Sequence, residues 1–242
     1  MKGCGVVTVL RGRTCVVTGA GGGIGRAIGS ALESAGATVV RSDRNDFLAA
    51  DLASADGPHE LAVAAAAGRV DVLVNCAGAG LYGPAAELDL VELQRIVALN
   101  LIAPIVLTRE LLPAMLERGQ GHIVNVASLV ANVPKRDEAA YAATKAGIAG
   151  FTRSLREELR DTGVGVSLVL PAVVDTAFFA ERGEPYRRRW PRPTSPERVA
   201  AAVLEVIEHD RAEVIVPRWL TIAARLYGAT PGLYRTLARR FD

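Results

Sequence analysis

Tyr141 and Lys145 stand four residues apart in Tyr141-Ala142-Ala143-Thr144-Lys145, a spacing that puts both side chains on one face of a helix. A phenol has an ordinary pKa near 10, so it is a poor base at neutral pH unless a neighbouring cation favours its phenolate. Lys145 can supply that charge. Bringing the phenol to about pH 7 requires roughly 4 kcal/mol of differential stabilisation, within reach of a lysine aided by a second positive group. A Tyr and a Lys at this spacing also occur in helices by chance, so the pair alone decides little. Ser128 adds to it, because it ends a β-branched run just before this helix, where its hydroxyl can hold a substrate oxygen beside the phenol. The chemistry suggested is proton transfer to or from an oxygen.

A second group of residues suits a phosphate. Thr18-Gly19-Ala20-Gly21-Gly22-Gly23-Ile24-Gly25 joins a short β-branched run, Thr14–Thr18, to a stretch in which Ile24, Ala27, Ile28, Ala31, Leu32 and Ala35 recur at helical spacing. In a strand-turn-helix unit, the backbone N–H groups and the positive helix end face an anion, and missing Cβ atoms let it approach. The G-x-G-x-x-G form does not fit in either frame, whereas T-G-x-x-x-G-x-G does. Gly19, Gly21, Gly23, Ile24 and Gly25 are thus candidate dinucleotide ligands. Asp43, after the next strand-like run, can accept hydrogen bonds from an adenosine ribose and repel a 2′-phosphate, which favours NAD. Arg44 beside it could instead bind that phosphate as in NADP, and both could be an exposed turn pair.

The elements needed to position these groups are legible as an alternation. Strands are expected at Thr14–Thr18, Ala37–Arg41, Val70–Asn75, Ile123–Ala127, Val166–Leu170 and Val214–Val216. Helices are expected at Leu90–Leu116, Tyr141–Leu159 and Pro196–Glu208. Near-continuous Val/Ile/Leu strands alternating with helices predict an α/β fold: a Rossmann-like, doubly wound parallel sheet in three αβα layers. No Pro/Ser-rich linker or repeat divides the chain, so residues 1–242 are expected to form one domain. Phe178 to Thr194, rich in Arg, Pro and aromatics, predicts a mobile loop spanning about 177–195. Residues 218–242 predict one or two amphipathic helices, with Leu220, Leu226, Leu233 and Leu237 among Arg225, Arg235, Arg239 and Arg240.

From Thr14 to about Pro217, these motifs in this order resemble the short-chain dehydrogenase/reductase family of the compact, single-domain type. The resemblance implies a nicotinamide-dependent oxidoreductase of secondary alcohols or ketones. It implies that Ser128 orients the substrate oxygen, that Tyr141 is the general acid/base, and that Lys145 lowers the tyrosine pKa while bonding the nicotinamide ribose. Asn100 in Val97-Ala98-Leu99-Asn100 matches the family's helix asparagine, which holds a water joining the lysine to solvent. Asp51-Leu52 matches its adenine-side aspartate. Asn75-Cys76-Ala77-Gly78 matches its N-N-A-G segment, with Cys in the second place, which leaves the backbone role of Ala77 and Gly78 intact. Pro171-Ala172-Val173-Val174-Asp175-Thr176 matches its P-G-x-x-x-T stretch, with Val174 and Thr176 toward the nicotinamide and Ala in place of Gly. Between Asp43 and Asp51 the family has an additional helix where this chain has few residues, which leaves the adenine side open. The family is also commonly dimeric or tetrameric through its long helices, so a homo-oligomer is expected.

Composition bounds the partners. A net charge of +2 is too balanced for a nucleic-acid surface across the whole protein. Cys4, Cys15 and Cys76 have neither metal-ligand spacing nor the density of a disulfide framework, which points to a reducing cytoplasm. No apolar run approaches the ~18 residues that span a bilayer, and no leader pattern is present, so a soluble protein is expected. His59, His122 and His209 fit no ligand set and suggest surface or strand-edge roles, and no metal is expected. Leu81-Tyr82-Gly83, Phe178 and Phe179 suit a hydrophobic alcohol or ketone, or simply pack on one another. Arg187-Arg188-Arg189-Trp190 reads better as a solvated charge run than as an acid-binding patch. The basic tail could touch an anionic membrane, but covering a subunit interface or the pocket is the stronger reading. The competing function is a non-catalytic dinucleotide sensor or scaffold on the same fold.

Overall fold

The computed structural model describes residues 9–43, 48–186, 192–230 and 232. Cys4, Arg44, the Arg187–Trp190 run and tail residues 233–242 lie outside them.

Six parallel strands form one sheet: β1 (Thr14–Thr18), β2 (Thr38–Ser42), β3 (Val72–Asn75), β4 (Gly121–Val126), β5 (Val164–Pro171) and β6 (Glu213–Val216), in the order β2-β1-β3-β4-β5-β6. The order reverses between β1 and β3, so their crossovers leave in opposite directions and open a crevice at the carboxyl ends of the strands. Parallel strands covered on both faces must be apolar throughout, and β3 is buried at every residue. On one face lie α1 (Gly23–Ser34) and α7 (Pro196–Glu208), which bury Ile28, Leu32, Val199, Val203 and Ile207 against β1, β3 and β4. On the other lie α2 (Gly57–Ala66), α3 (Leu90–Val97), α4 (Ala103–Glu117) and α5 (Ala139–Glu158), enclosing a core around Leu61, Leu107, Met115 and Ile123. This is the expected three-layer arrangement.

Several elements differ from expectation. Helix α2 carries no periodic apolar signature strong enough to read in the sequence, because its inward side is built from Leu61, Ala62 and Ala65. The segment expected to be a loop from Phe178 contains a short helix, α6 (Phe178–Glu181), and Thr194 at its far end bridges Val174. In the tail, α8 (Leu220–Ala229) buries Leu220 against Ile215 and Ile148. The run Leu90–Glu117 is one helical rod of 28 residues, interrupted by a π-helical turn at Ala98–Ile102. By length and composition that rod is apolar enough to cross a membrane, contrary to the expectation of no such run, and 28% of its most apolar window is buried within the chain.

His122 is not at the surface or at a sheet edge. It is 2% exposed in β4, with Nε2 2.8 Å from the Ser167 hydroxyl of β5. Burial holds its pKa down to about 4, with Asp210 opposing and Arg156 adding to the effect. The unfolded chain therefore takes up a proton at a higher pH, near 6.5, than the folded chain does. Stability contributed by neutral His122 is complete above pH ~6.5 and is lost as pH falls toward about 4. The expected size is about 3 kcal/mol over that window. Urea midpoints measured from pH 7 to pH 4 should fall less steeply in His122→Asn than in the wild type; parallel curves would show that His122 does not carry this acid sensitivity.

Candidate active site

The turn after β1 is shaped by close backbone approaches that only glycine permits. Gly19 has φ +67, and a Cβ there would lie 2.8 Å from the Cα of Ala77. At Gly25 a Cβ would lie 2.1 Å from the Gly19 carbonyl oxygen. The Thr18 hydroxyl accepts hydrogen bonds from the N–H groups of both Cys76 and Ala77, each at 3.0 Å, which ties the end of β1 to the end of β3. Thr18 was visible within the glycine motif, but its fastening role was not.

Helix α1 begins with neither a side-chain cap nor an acid in its first turn, so its positive end is open to an anion. Gly23 abuts Thr176, whose Cγ2 would be 2.6 Å from a Cβ added there, and Ile24 packs partly into the core. Half-buried Asp43 folds over the turn and accepts a hydrogen bond of 3.0 Å from the Gly21 N–H. Val174 is buried. Asp51 is exposed and accepts from the Ala53 N–H, while Leu52 points into the core. The glycine cradle, the open helix end and the carboxylate beside the turn fit a nicotinamide dinucleotide.

Beyond β3, Gly78, Asn100 and Lys145 converge. A Cβ at Gly78 would lie 3.1 Å from Asn100 Oδ1 and 3.2 Å from Lys145 Nζ. Asn100 sits in the π-helical turn, a wider turn that inserts one residue and re-aims its neighbours. Its Oδ1 accepts from the Ala79 N–H at 2.9 Å, and its Nδ2 donates to the Ala79 carbonyl at 2.9 Å and to the Thr144 hydroxyl at 3.1 Å. The side-chain amide thus pins the post-β3 loop to the helix carrying Tyr141 and Lys145. Asn75 is buried, and its Nδ2 donates to Asn125 Oδ1 at 2.8 Å.

Ser128, after β4, and Tyr141 and Lys145, in the first turns of α5, are each less than a tenth exposed. The Ser128 hydroxyl lies close enough to the Tyr141 phenol to act on its proton affinity. Burial pushes that phenol up to about 12; Ser128 and the Arg182 guanidinium pull it down, and Glu138 pushes it up. Lys145 lies 5.9 Å from the tyrosine ring centroid, donates to the Val126 carbonyl at 3.3 Å, and is held down to about 8 by burial. The lysine is not among the principal influences on the phenol, so it does not by itself bring Tyr141 near neutrality in the protein alone. Cys76 is beside this group, and burial pushes its thiol up to about 12, as suits a packed side chain.

The aromatics pack on one another: Tyr141 with Phe178 at 5.6 Å, Phe178 with Phe179 at 5.6 Å, and Phe179 with Tyr186 at 5.5 Å between centroids. A cavity of about 200 Å³ opens between Val173–Thr176 and Phe179, Ala180, Pro185 and Tyr186. Two residues unmarked by any motif join this wall. Arg182, after α6, forms an ion pair of 2.9 Å with Glu138 at the start of α5. No sequence signal pairs them, since they are far apart in the chain and only the fold brings them together.

A family model described as short chain dehydrogenase matches residues 47–187. A ketoacyl reductase, HetN, of a Nostoc species is 35% identical over 230 residues, covering 87% of this chain and 80% of that protein. A short-chain dehydrogenase from Sphingobium yanoikuyae, solved in complex with NADPH, superposes with a TM-score of 0.82 at 25% identity, covering 95% of this chain and 96% of that one. A 3-ketoacyl-(acyl-carrier-protein) reductase from Brucella melitensis, complexed with NADH, gives 0.78 at 27% identity, covering 86% and 99%.

Proposed function

This chain belongs to the short-chain dehydrogenase/reductase family, and from that membership we propose that Tyr141 exchanges the proton that accompanies hydride transfer at a secondary alcohol or ketone. It is an oxidoreductase acting on CH–OH groups with NAD or NADP. When bound, the nicotinamide would supply the hydride or accept it, and its oxidised form would add positive charge to the site. The observation that carries the assignment is the buried Tyr141 phenol, with Ser128 acting on it and Lys145 on the same helix face, at the carboxyl edge of the sheet.

Ser128 orients the reacting oxygen and Tyr141 holds its proton on the phenolic oxygen. With the cofactor bound, Lys145 would bond its ribose and add to the charge that stabilises the phenolate, and Asn100 fixes α5 to the loop around Gly78. Gly19, Gly21, Gly23, Ile24 and Gly25 would hold the pyrophosphate and Asp43 the adenosine ribose; Arg44, assigned with Asp43, lies outside the described residues. Asp51 and Leu52 serve the adenine end, Asn75, Ala77 and Gly78 the middle, and Val174 and Thr176 the nicotinamide. The aromatic wall favours a hydrophobic substrate body. Exposed apolar residues on the long rod, Leu90 at 71% and Val91 at 69% among them, support a homodimer or homotetramer, and the free Cys15 and Cys76 suit a cytoplasmic protein.

The test is absorbance at the reduced-nicotinamide band while ketones and alcohols are screened. Turnover supports the assignment; cofactor binding with no turnover across the panel favours the sensor reading. Cofactor preference has its own test. Asp43→Ala is expected to shift the ratio of NAD to NADP affinity toward NADP by about 10- to 100-fold, read from thermal shifts against each cofactor's concentration. An unchanged ratio would remove Asp43 from the selectivity determinants.

A further inference from the structure

Arg182 has more positive charge around it than its partners neutralise. Its side chain is 5% exposed, stacked 4.6 Å from the centroid of Phe179 and 5.2 Å from that of Tyr82, and paired through NH1 with Glu138 Oε1. That same oxygen also accepts from Lys135 at 3.3 Å. The neighbouring Arg136 pairs with Asp137, which in turn accepts from the Tyr82 hydroxyl. Three cations thus meet two carboxylates, a surplus of one positive charge.

The guanidinium Nε–H is buried and has no hydrogen-bond partner among the described residues. A buried donor left unmade is costly, and a buried ion pair is weak evidence of a purely stabilising role. The group also borders the reacting centre. Glu138 is one helical turn before Tyr141, Phe178 packs on the Tyr141 ring, and the Arg182 charge is felt at the phenol. Gly80 leaves room for it, since a Cβ there would come within 3.0 Å of Arg182 Cδ and 2.9 Å of Phe178 Cζ.

We propose that Arg182 is a specificity-determining residue whose Nε–H receives a carboxylate carried by the substrate, so that the compound oxidised or reduced at Tyr141 is a hydroxy acid or keto acid. The inference rests on the assignment of Tyr141 as the acid/base. One surplus positive charge suits a monoanion; a phosphate dianion would meet Glu138 with its second charge uncompensated. Tyr82, Phe178 and Phe179 offer the carbon chain an apolar wall. The reaction is unchanged: hydride joins the carbonyl carbon, and the proton from Tyr141 joins its oxygen.

The test is a ratio. Acetoacetate, levulinate and their longer straight-chain homologues are each compared with their methyl esters, using the reduced cofactor that the protein binds. For at least one chain length the wild type is expected to favour the acid by about 10- to 100-fold in kcat/KM. That preference should fall to near unity in Arg182→Gln and return in part in Arg182→Lys. Esters turned over as well as acids at every length, or a preference that survives Arg182→Gln, would overturn the proposal while leaving Tyr141 in place. No turnover of any acid or ester by protein that binds cofactor would overturn the Tyr141 assignment and this inference with it. The wild-type ratio is independent of how well either variant folds.

Discussion

Tyr141→Phe is expected to reduce turnover by about 10³-fold or more, at the upper end of what a positioned acid/base contributes, while cofactor affinity stays within a few-fold. The substitution removes one oxygen and keeps the ring, so packing against Phe178 at 5.6 Å is retained. What is lost is the proton held beside Ser128. Because burial pushes the phenol up to about 12, the protein holds it protonated at neutral pH and poised to act as an acid toward a carbonyl. Alcohol oxidation needs the phenolate and should accelerate as pH rises; ketone reduction should not. Steady-state rates in both directions, together with cofactor titration by fluorescence, check these points. Wild-type turnover in the variant would sink the assignment.

Gly25→Ala should abolish cofactor binding, weakening it by more than 100-fold, and should destabilise the fold by about 2–4 kcal/mol. The added methyl would lie 2.1 Å from the Gly19 carbonyl oxygen, and both groups are backbone, so neither can swing aside as a side chain would. Relief requires opening the turn, and Gly19 is itself held at φ +67 against the backbone of Ala77. Gly22→Ala is the informative control, because its methyl meets nothing nearer than 3.4 Å. It should leave the melting temperature of the cofactor-free protein nearly unchanged. Thermal melts with and without NAD and NADP separate the two effects. A Gly25→Ala protein that is stabilised by cofactor as the wild type is would show that the turn tolerates opening.

How much of this could be read from the sequence depended on how local each cause was. Helix α7 was read to the residue, since Pro196 marks its start and Val199, Val203, Val206 and Ile207 repeat along one face. The parallel sheet followed from apolar runs alternating with helices. Helix α2 is not legible in the sequence, because alanines bury little and leave no clear stripe. The π-helical turn at Asn100 was also invisible, because one inserted residue barely disturbs helical spacing over so long a rod. Tyr141, Ser128, Lys145 and Asn100 were legible as residue types in order. Their electrostatics were not, since burial and the distant Arg182 act on the phenol through space. The Glu138–Arg182 pair required the chain to be folded before it existed.

The sheet ends at β2, which among the described residues has β1 as its one hydrogen-bonded neighbour, and Asp43 follows directly from it. Every other strand around the crevice is flanked on both sides. The carboxylate proposed to discriminate between two nearly identical cofactors is therefore carried at the least cross-braced margin of the molecule. A change of preference there disturbs one ladder instead of two, which makes this margin the natural place to re-engineer the redox currency of the enzyme without touching its chemistry.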